Sequence, residues 1–173
     1  MRDCIILIGF MGAGKTSVGQ ALASLKQLPL LDTDQMIEQE AGMTISKIFA
    51  GQGEAAFRAA EAAVLRRLLD EEGSAVISTG GGLPLDEGNQ ATLRQLGDVV
   101  FLRVKPETVL MRLEGDTTRP LLQGDDAEKK VHSLLAFRNP IYQSAADVAV
   151  DVDGRTVGGL AEEITRRIAE VQR

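Results

Sequence analysis

With 173 residues the chain can bury one substantial core but is too short for two ordinary domains, so residues 1–173 are expected to form a single domain with one active site. Its 44% hydrophobic and 25% charged residues exclude the disordered and fibrous classes, and a net charge of -6 without any Lys/Arg-rich run argues against nucleic acid as a partner. No stretch approaches the roughly 20 apolar residues of a membrane-spanning helix, so no membrane partner is expected either.

The first element is a buried strand over residues 4–8, an apolar run too short for a signal peptide that leads directly into a glycine-rich turn. The single cysteine, Cys4, lies in this run and reads as an inert buried thiol, which fits a reducing cytoplasm. Next comes Gly9-Phe-Met-Gly12-Ala13-Gly14-Lys15-Thr16, which matches G-x-x-x-x-G-K-[ST] between a strand and a helical pattern. Glycines let successive N–H groups turn toward phosphate oxygens, and the following helix adds its positive end. Lys15 supplies a full charge toward a transferred phosphoryl group, and the Thr16 hydroxyl is a hard ligand suited to magnesium.

A second short strand over residues 28–31 ends at Asp32, which can hold magnesium or cap the helical segment that begins at Thr33. Asp34, two residues on, would project to a similar side in extended backbone and could accept a proton from a substrate hydroxyl; the alternative is a surface residue at a helix start. Thr44 suits the cap of a short helix. In the helix that begins near Glu54, Arg58 and Glu61 are three apart and can meet, either as an exposed ion pair or as a carboxylate-held guanidinium ready to grip a substrate carboxylate.

The third strand, residues 75–77, runs into Gly80-Gly81-Gly82 at the end of a parallel sheet, where ligands of open α/β folds bind; a flexible turn is the alternative. A fourth strand over residues 99–104 precedes Pro106, a residue fitted to a first helical turn. Residues 115–126 carry turn formers without periodicity and read as a mobile loop or lid, in which Arg119 could reach the phosphates or remain a solvated loop residue. In the helix beyond, His132 reads as a surface residue, and Arg138 as either a substrate contact or a favourable charge at the helix C-terminus. A fifth strand over residues 148–150 and a last helix with Leu160, Ile164, Ile168 and Val171 on one face complete the alternation. Five strands alternating with helices imply an α/β fold with a parallel sheet covered on both faces.

In ordered combination, the phosphate loop, Asp32-Thr-Asp34, Phe57-Arg58-x-x-Glu61, Gly80-Gly-Gly82, Thr118-Arg119-Pro120-Leu121 and Arg138-x-x-x-Tyr142 resemble shikimate kinase along nearly the whole chain. The resemblance implies a three-layer α/β/α P-loop fold of the nucleoside-monophosphate-kinase type with a five-stranded parallel sheet. It also implies transfer of the ATP γ-phosphoryl group to the 3-hydroxyl of shikimate, in aromatic amino acid biosynthesis, by a cytoplasmic monomer using Mg2+. By position, Asp34 and Arg58, in an acceptor-binding segment of about residues 33–61, would bind shikimate together with Gly80, Gly81, Gly82 and Arg138. Gly12, Ala13, Gly14, Lys15, Thr16, Ser17 and Arg119 would bind ATP, and Arg112 and Arg155 match positions that contact adenine. Thr16 and Asp32 would serve the metal; Asp34, Lys15 and Arg119 would be catalytic. The loop ends Gly-Lys-Thr-Ser, where the family more often has Ser before Thr, and either hydroxyl can ligate magnesium.

Rival readings are a gluconate-kinase-like enzyme of the same fold, a nucleoside monophosphate kinase, and, from another class, a GTPase switch or a non-catalytic nucleotide-binding module. The Asn-Lys-x-Asp tetrapeptide usual for guanine recognition is absent.

Overall fold

The computed structural model describes residues 3–114 and 126–172. In chain order they form β1 (Cys4–Ile8), α1 (Lys15–Lys26), β2 (Leu30–Asp32), α2 (Thr33–Ala41), α3 (Ile45–Gln52), α4 (Glu54–Asp70), β3 (Val76–Ser78), a 3-10 turn (Leu83–Leu85), α5 (Glu87–Leu96), β4 (Gly97–Arg103), α6 (Pro106–Leu113), α7 (Ala127–Ala145), β5 (Val148–Asp151) and α8 (Val157–Val171). The strands make one sheet in the order β2-β3-β1-β4-β5, and every pairing is parallel. Ile6 at the centre faces Ile77 on one side and Val99 on the other.

Strands buried on both faces need continuous apolar runs, and β1 is buried at all five positions. Right-handed crossovers that reverse direction put helices on opposite faces. Thus α1 packs with α8, while α4 packs with α5. The reversal lies between β1 and β3, so the phosphate loop after β1 and the glycine loop after β3 open into one crevice at the carboxyl ends of neighbouring strands.

Local signals place the helix ends where the side chains dictate. Thr44 caps α3 by accepting from Lys47 N, Thr156 caps α8 by accepting from Gly159 N, and Pro106 opens α6. Leu160, Ile164 and Ile168 are buried along α8, but Val171 is 56% exposed. Periodicity overcounted that stripe by one residue because the final turn of α8 is exposed to solvent. Cys4 is buried and His132 exposed, as expected. Residues 115–125, with Arg119, lie outside the described residues.

Candidate active site

On one side of the crevice the chain leaves β1 and enters α1 through Gly14, whose φ of 88° is left-handed and unfavourable for a side chain. No side chain among the described residues caps α1, which leaves the N–H groups of its first turn open to an anion. Ala13 is buried, with its N–H on Phe10 O, and Thr16 and Ser17 are exposed. Lys15 Nζ donates to Gly9 O at 2.7 Å and Phe10 O at 2.9 Å, which folds the ammonium back over the loop. Arg112, on α6, donates to Gly12 O at 2.6 Å. Arg155 lies in the β5–α8 loop, paired with Glu163 at 2.6 Å.

On the other side, Asp32 ends β2 and caps α2, its Oδ1 accepting from Asp34 N at 2.9 Å and Gln35 N at 3.1 Å. Asp34 therefore stands on the first turn of a helix. The extended geometry expected between the two acids is replaced by a capped turn, because Asp32 satisfies the helix's open N–H groups. Asp34 Oδ1 is buried without a hydrogen-bond partner among the described residues. Burial, reinforced by the charge of Asp32, pushes this carboxyl up to about 6 against the opposing pull of Lys15.

Arg58 and Glu61 do meet, with Nη1 to Oε2 at 2.7 Å, and Arg58 also reaches Glu54 at 3.4 Å and lies over the Phe57 ring. The exposed ion pair is excluded, since Glu61 is 0% exposed. Burial raises the Glu61 carboxyl pKa despite the hydrogen bond and charge of Arg58. The second oxygen, Oε1, is buried and has no partner among the described residues. Arg138, 7% exposed in mid-helix on α7 and over the Phe10 ring, has a buried Nε that likewise has none among them. It lies seven residues before the end of α7 at Ala145, so an interaction with the helix C-terminus does not account for it.

The glycine loop joins these groups. A methyl on Gly80 would lie 2.6 Å from Asp34 Oδ1 and 3.2 Å from Glu61 Oε1, and one on Gly82 would lie 2.4 to 2.7 Å from the Arg58 guanidinium. Close approach of side chains, rather than a left-handed turn, is what requires glycine at these two positions. Sequence reading missed the residues that anchor the loop. Buried Thr33 accepts from Gly80 N at 3.1 Å, and the Tyr142 hydroxyl donates to Gly81 O at 2.5 Å. Both stand inside motifs already noted, Asp32-Thr-Asp34 and Arg138-x-x-x-Tyr142, and only the fold reveals their partners.

Buried polar atoms without partners are rare and costly, so their concentration here points to an absent ligand. Two unpaired carboxylate oxygens and two guanidinium groups suit a molecule that carries both hydroxyls and a carboxylate. The donor set also fits a magnesium ion. Thr16 offers an exposed hydroxyl and Asp32 a carboxylate, both hard oxygen donors. That sparse oxygen set matches an ion that retains water and phosphate oxygens.

The chain matches the family model for shikimate kinase over residues 11–170. It is 44% identical over 165 residues to the shikimate kinase of Stenotrophomonas maltophilia, covering 95% of this chain and 91% of that one. To the Halorhodospira halophila shikimate kinase it is 46% identical over 166 residues, covering 96% and 91%. Among solved structures, shikimate kinase from Acinetobacter baumannii in complex with shikimate superposes with a TM-score of 0.91 at 38% identity, covering 98% of this chain and 94% of that one. A gluconokinase from Sinorhizobium meliloti, at 19% identity and a TM-score of 0.56, shares the fold. By its site geometry and by these full-length similarities, the chain belongs to the shikimate kinase family.

Proposed function

We infer that this protein transfers the γ-phosphoryl group of ATP to the 3-hydroxyl of shikimate, giving shikimate 3-phosphate and ADP. The observation that carries the reading is the buried, unpaired Oδ1 of Asp34, set against the phosphate-loop lysine on one side and the Arg58–Glu61 pair on the other. Arg58 and Arg138 would grip the substrate carboxylate and a hydroxyl, and Gly80, Gly81 and Gly82 leave the backbone room to approach it. Asp34 would orient the 3-hydroxyl and take its proton as the oxygen bonds to the γ-phosphorus and the bond to the ADP oxygen breaks. A carboxyl with a pKa near 6 is ionised at neutral pH and more basic than an ordinary aspartate.

Lys15 would leave Gly9 O and Phe10 O to follow the phosphoryl charge, with the N–H groups at the open end of α1 holding the phosphates. Arg112 and Arg155 are assigned to the adenine side, and Arg119 to the transferred phosphate. Thr16 and Asp32 would hold Mg2+, which when bound neutralises charge on the phosphate oxygens. No helix among the described residues is long and apolar enough to cross a membrane. From its membership of the family we assign the protein to the cytoplasm as a monomer.

The test is ADP release by purified protein with ATP and Mg2+, comparing shikimate, gluconate, nucleoside monophosphates and no acceptor. Stimulation by shikimate alone is expected. Stimulation by gluconate instead would retain the phosphate site and overturn the acceptor.

A further inference from the structure

Helix α6 packs directly over the phosphate loop. The Val109 Cα and Cγ1 lie 3.9 Å from where a Gly12 methyl would stand, and Arg112 donates to Gly12 O. Yet the helix has no capping side chain of its own, because its N-cap residue is Lys105. The missing cap comes from another part of the chain. The Asp153 carboxylate, in the loop between β5 and α8, accepts from Lys105 N through both oxygens at 3.2 Å and from the Thr108 hydroxyl at 2.5 Å.

This arrangement does the work of a capping box with the acid supplied from 48 residues away, and it places negative charge at the positive end of α6. Thr108 and Arg112 are four apart and so share a face of the helix. The contact at its first turn therefore sets the position from which Arg112 reaches Gly12. The Asp153 loop is itself held on both flanks, by Val152 N to Arg103 O at 3.0 Å and Arg155 N to Val152 O at 3.2 Å.

We propose that Asp153 is a positioning residue for nucleotide binding: it locks the β5–α8 loop, which carries Arg155, to the first turn of α6, which carries Arg112, and so fixes both arginines about the adenine side of the site. The inference rests on the assignment of these arginines to the nucleotide. The Asp153 carboxylate is engaged by Lys105 N and the Thr108 hydroxyl, so its loss should act on nucleotide affinity and spare the acceptor site on the far side of the crevice.

The test is Asp153→Ala, read by calorimetric Kd for ADP and by separate KM values for ATP and shikimate. The Kd and the ATP KM should each rise about tenfold, the loss of roughly 1.4 kcal/mol, with shikimate KM and kcat changed by less than about twofold. Asp153→Asn keeps an acceptor oxygen and should recover much of the affinity. In an Arg112→Ala background, removal of Asp153 should cost clearly less than in the wild type, since the share that acts through Arg112 is already lost and only the share carried by Arg155 remains. Unchanged ADP affinity, a parallel rise in both KM values, or full additivity with Arg112→Ala would overturn the proposal. If Asp153→Ala does not fold, Thr108→Val breaks the same link without removing a charge and is held to the same outcomes. Because ADP binding is measured without an acceptor, the result stands apart from whether shikimate is the substrate.

Discussion

In the phosphate loop the binding groups are backbone N–H donors at an open helix end, and the nearby hydroxyls of Thr16 and Ser17 are exposed. Across the crevice Asp34, Glu61 and Arg138 are side chains drawn from three helices, and each carries a buried polar atom with no partner among the described residues. On the proposed assignment, the two halves would recognise anionic ligands by different physics. Backbone donors cost nothing to hold in place once the turn forms, and they accept any phosphate. Buried charges exact a desolvation cost that only a ligand of matching donors and acceptors offsets, which makes that half the selective one.

If that contrast holds, single substitutions on the acceptor side should be severe and confined to the acceptor. The largest effect is expected from Asp34→Asn, which should lower kcat by about 10²–10⁴ while the Kd for ADP is retained. Near-normal turnover would remove Asp34 from the chemistry. Next, Arg58→Ala should weaken shikimate binding by about 2–4 kcal/mol and leave the Glu61 carboxylate buried without its partner, with the ATP KM little changed. An unaltered shikimate KM would reduce Arg58 to a structural pair.

Gly82→Ala should be milder, raising the shikimate KM by about tenfold, because the added methyl displaces the flexible end of Arg58 rather than backbone. Equal losses for both substrates would show that the loop had refolded.

A smaller effect concerns pH. The Asp34 carboxyl holds its proton to about pH 6 in the folded chain and loses it near 3.8 when unfolded, so the folded state binds more protons in that window. Stability contributed by Asp34 therefore falls as pH rises from 3.8 to about 6, and the penalty persists above. Asp34→Asn should stabilise the fold by on the order of 1–3 kcal/mol at about pH 8 and by little below about pH 4, readable as Tm against pH. In the wild type, kcat/KM for shikimate should fall as pH drops through about 6. A flat profile from about pH 5 to 8 would break the link between burial and basicity.

Legibility divides along the same line. The phosphate loop was readable because strand, glycines, lysine and helix are contiguous, as were Thr44 and Pro106 at helix starts. For Asp34 the sequence left extended backbone and a helix start capped by Asp32 both open; the structure has the helix start, but with the carboxyl buried rather than on the surface, which no two-residue pattern records. The Arg58–Glu61 spacing announced a pair but not its burial, which depends on packing around α4. Thr33 and Tyr142 gave no local sign of their roles, since their partners, Gly80 and Gly81, lie 47 and 61 residues away. The same distance hid Asp153.

By itself the sequence determined the alternating strands and helices, the phosphate loop and the set of charged residues available to the site, because each of these depends on neighbours along the chain. Only the tertiary structure decided which charges lose their water and which oxygens remain unpaired. Burial is a property of the surrounding elements, and in this crevice those elements are α2, α4, the Gly80–82 loop and α7, brought together by the parallel sheet.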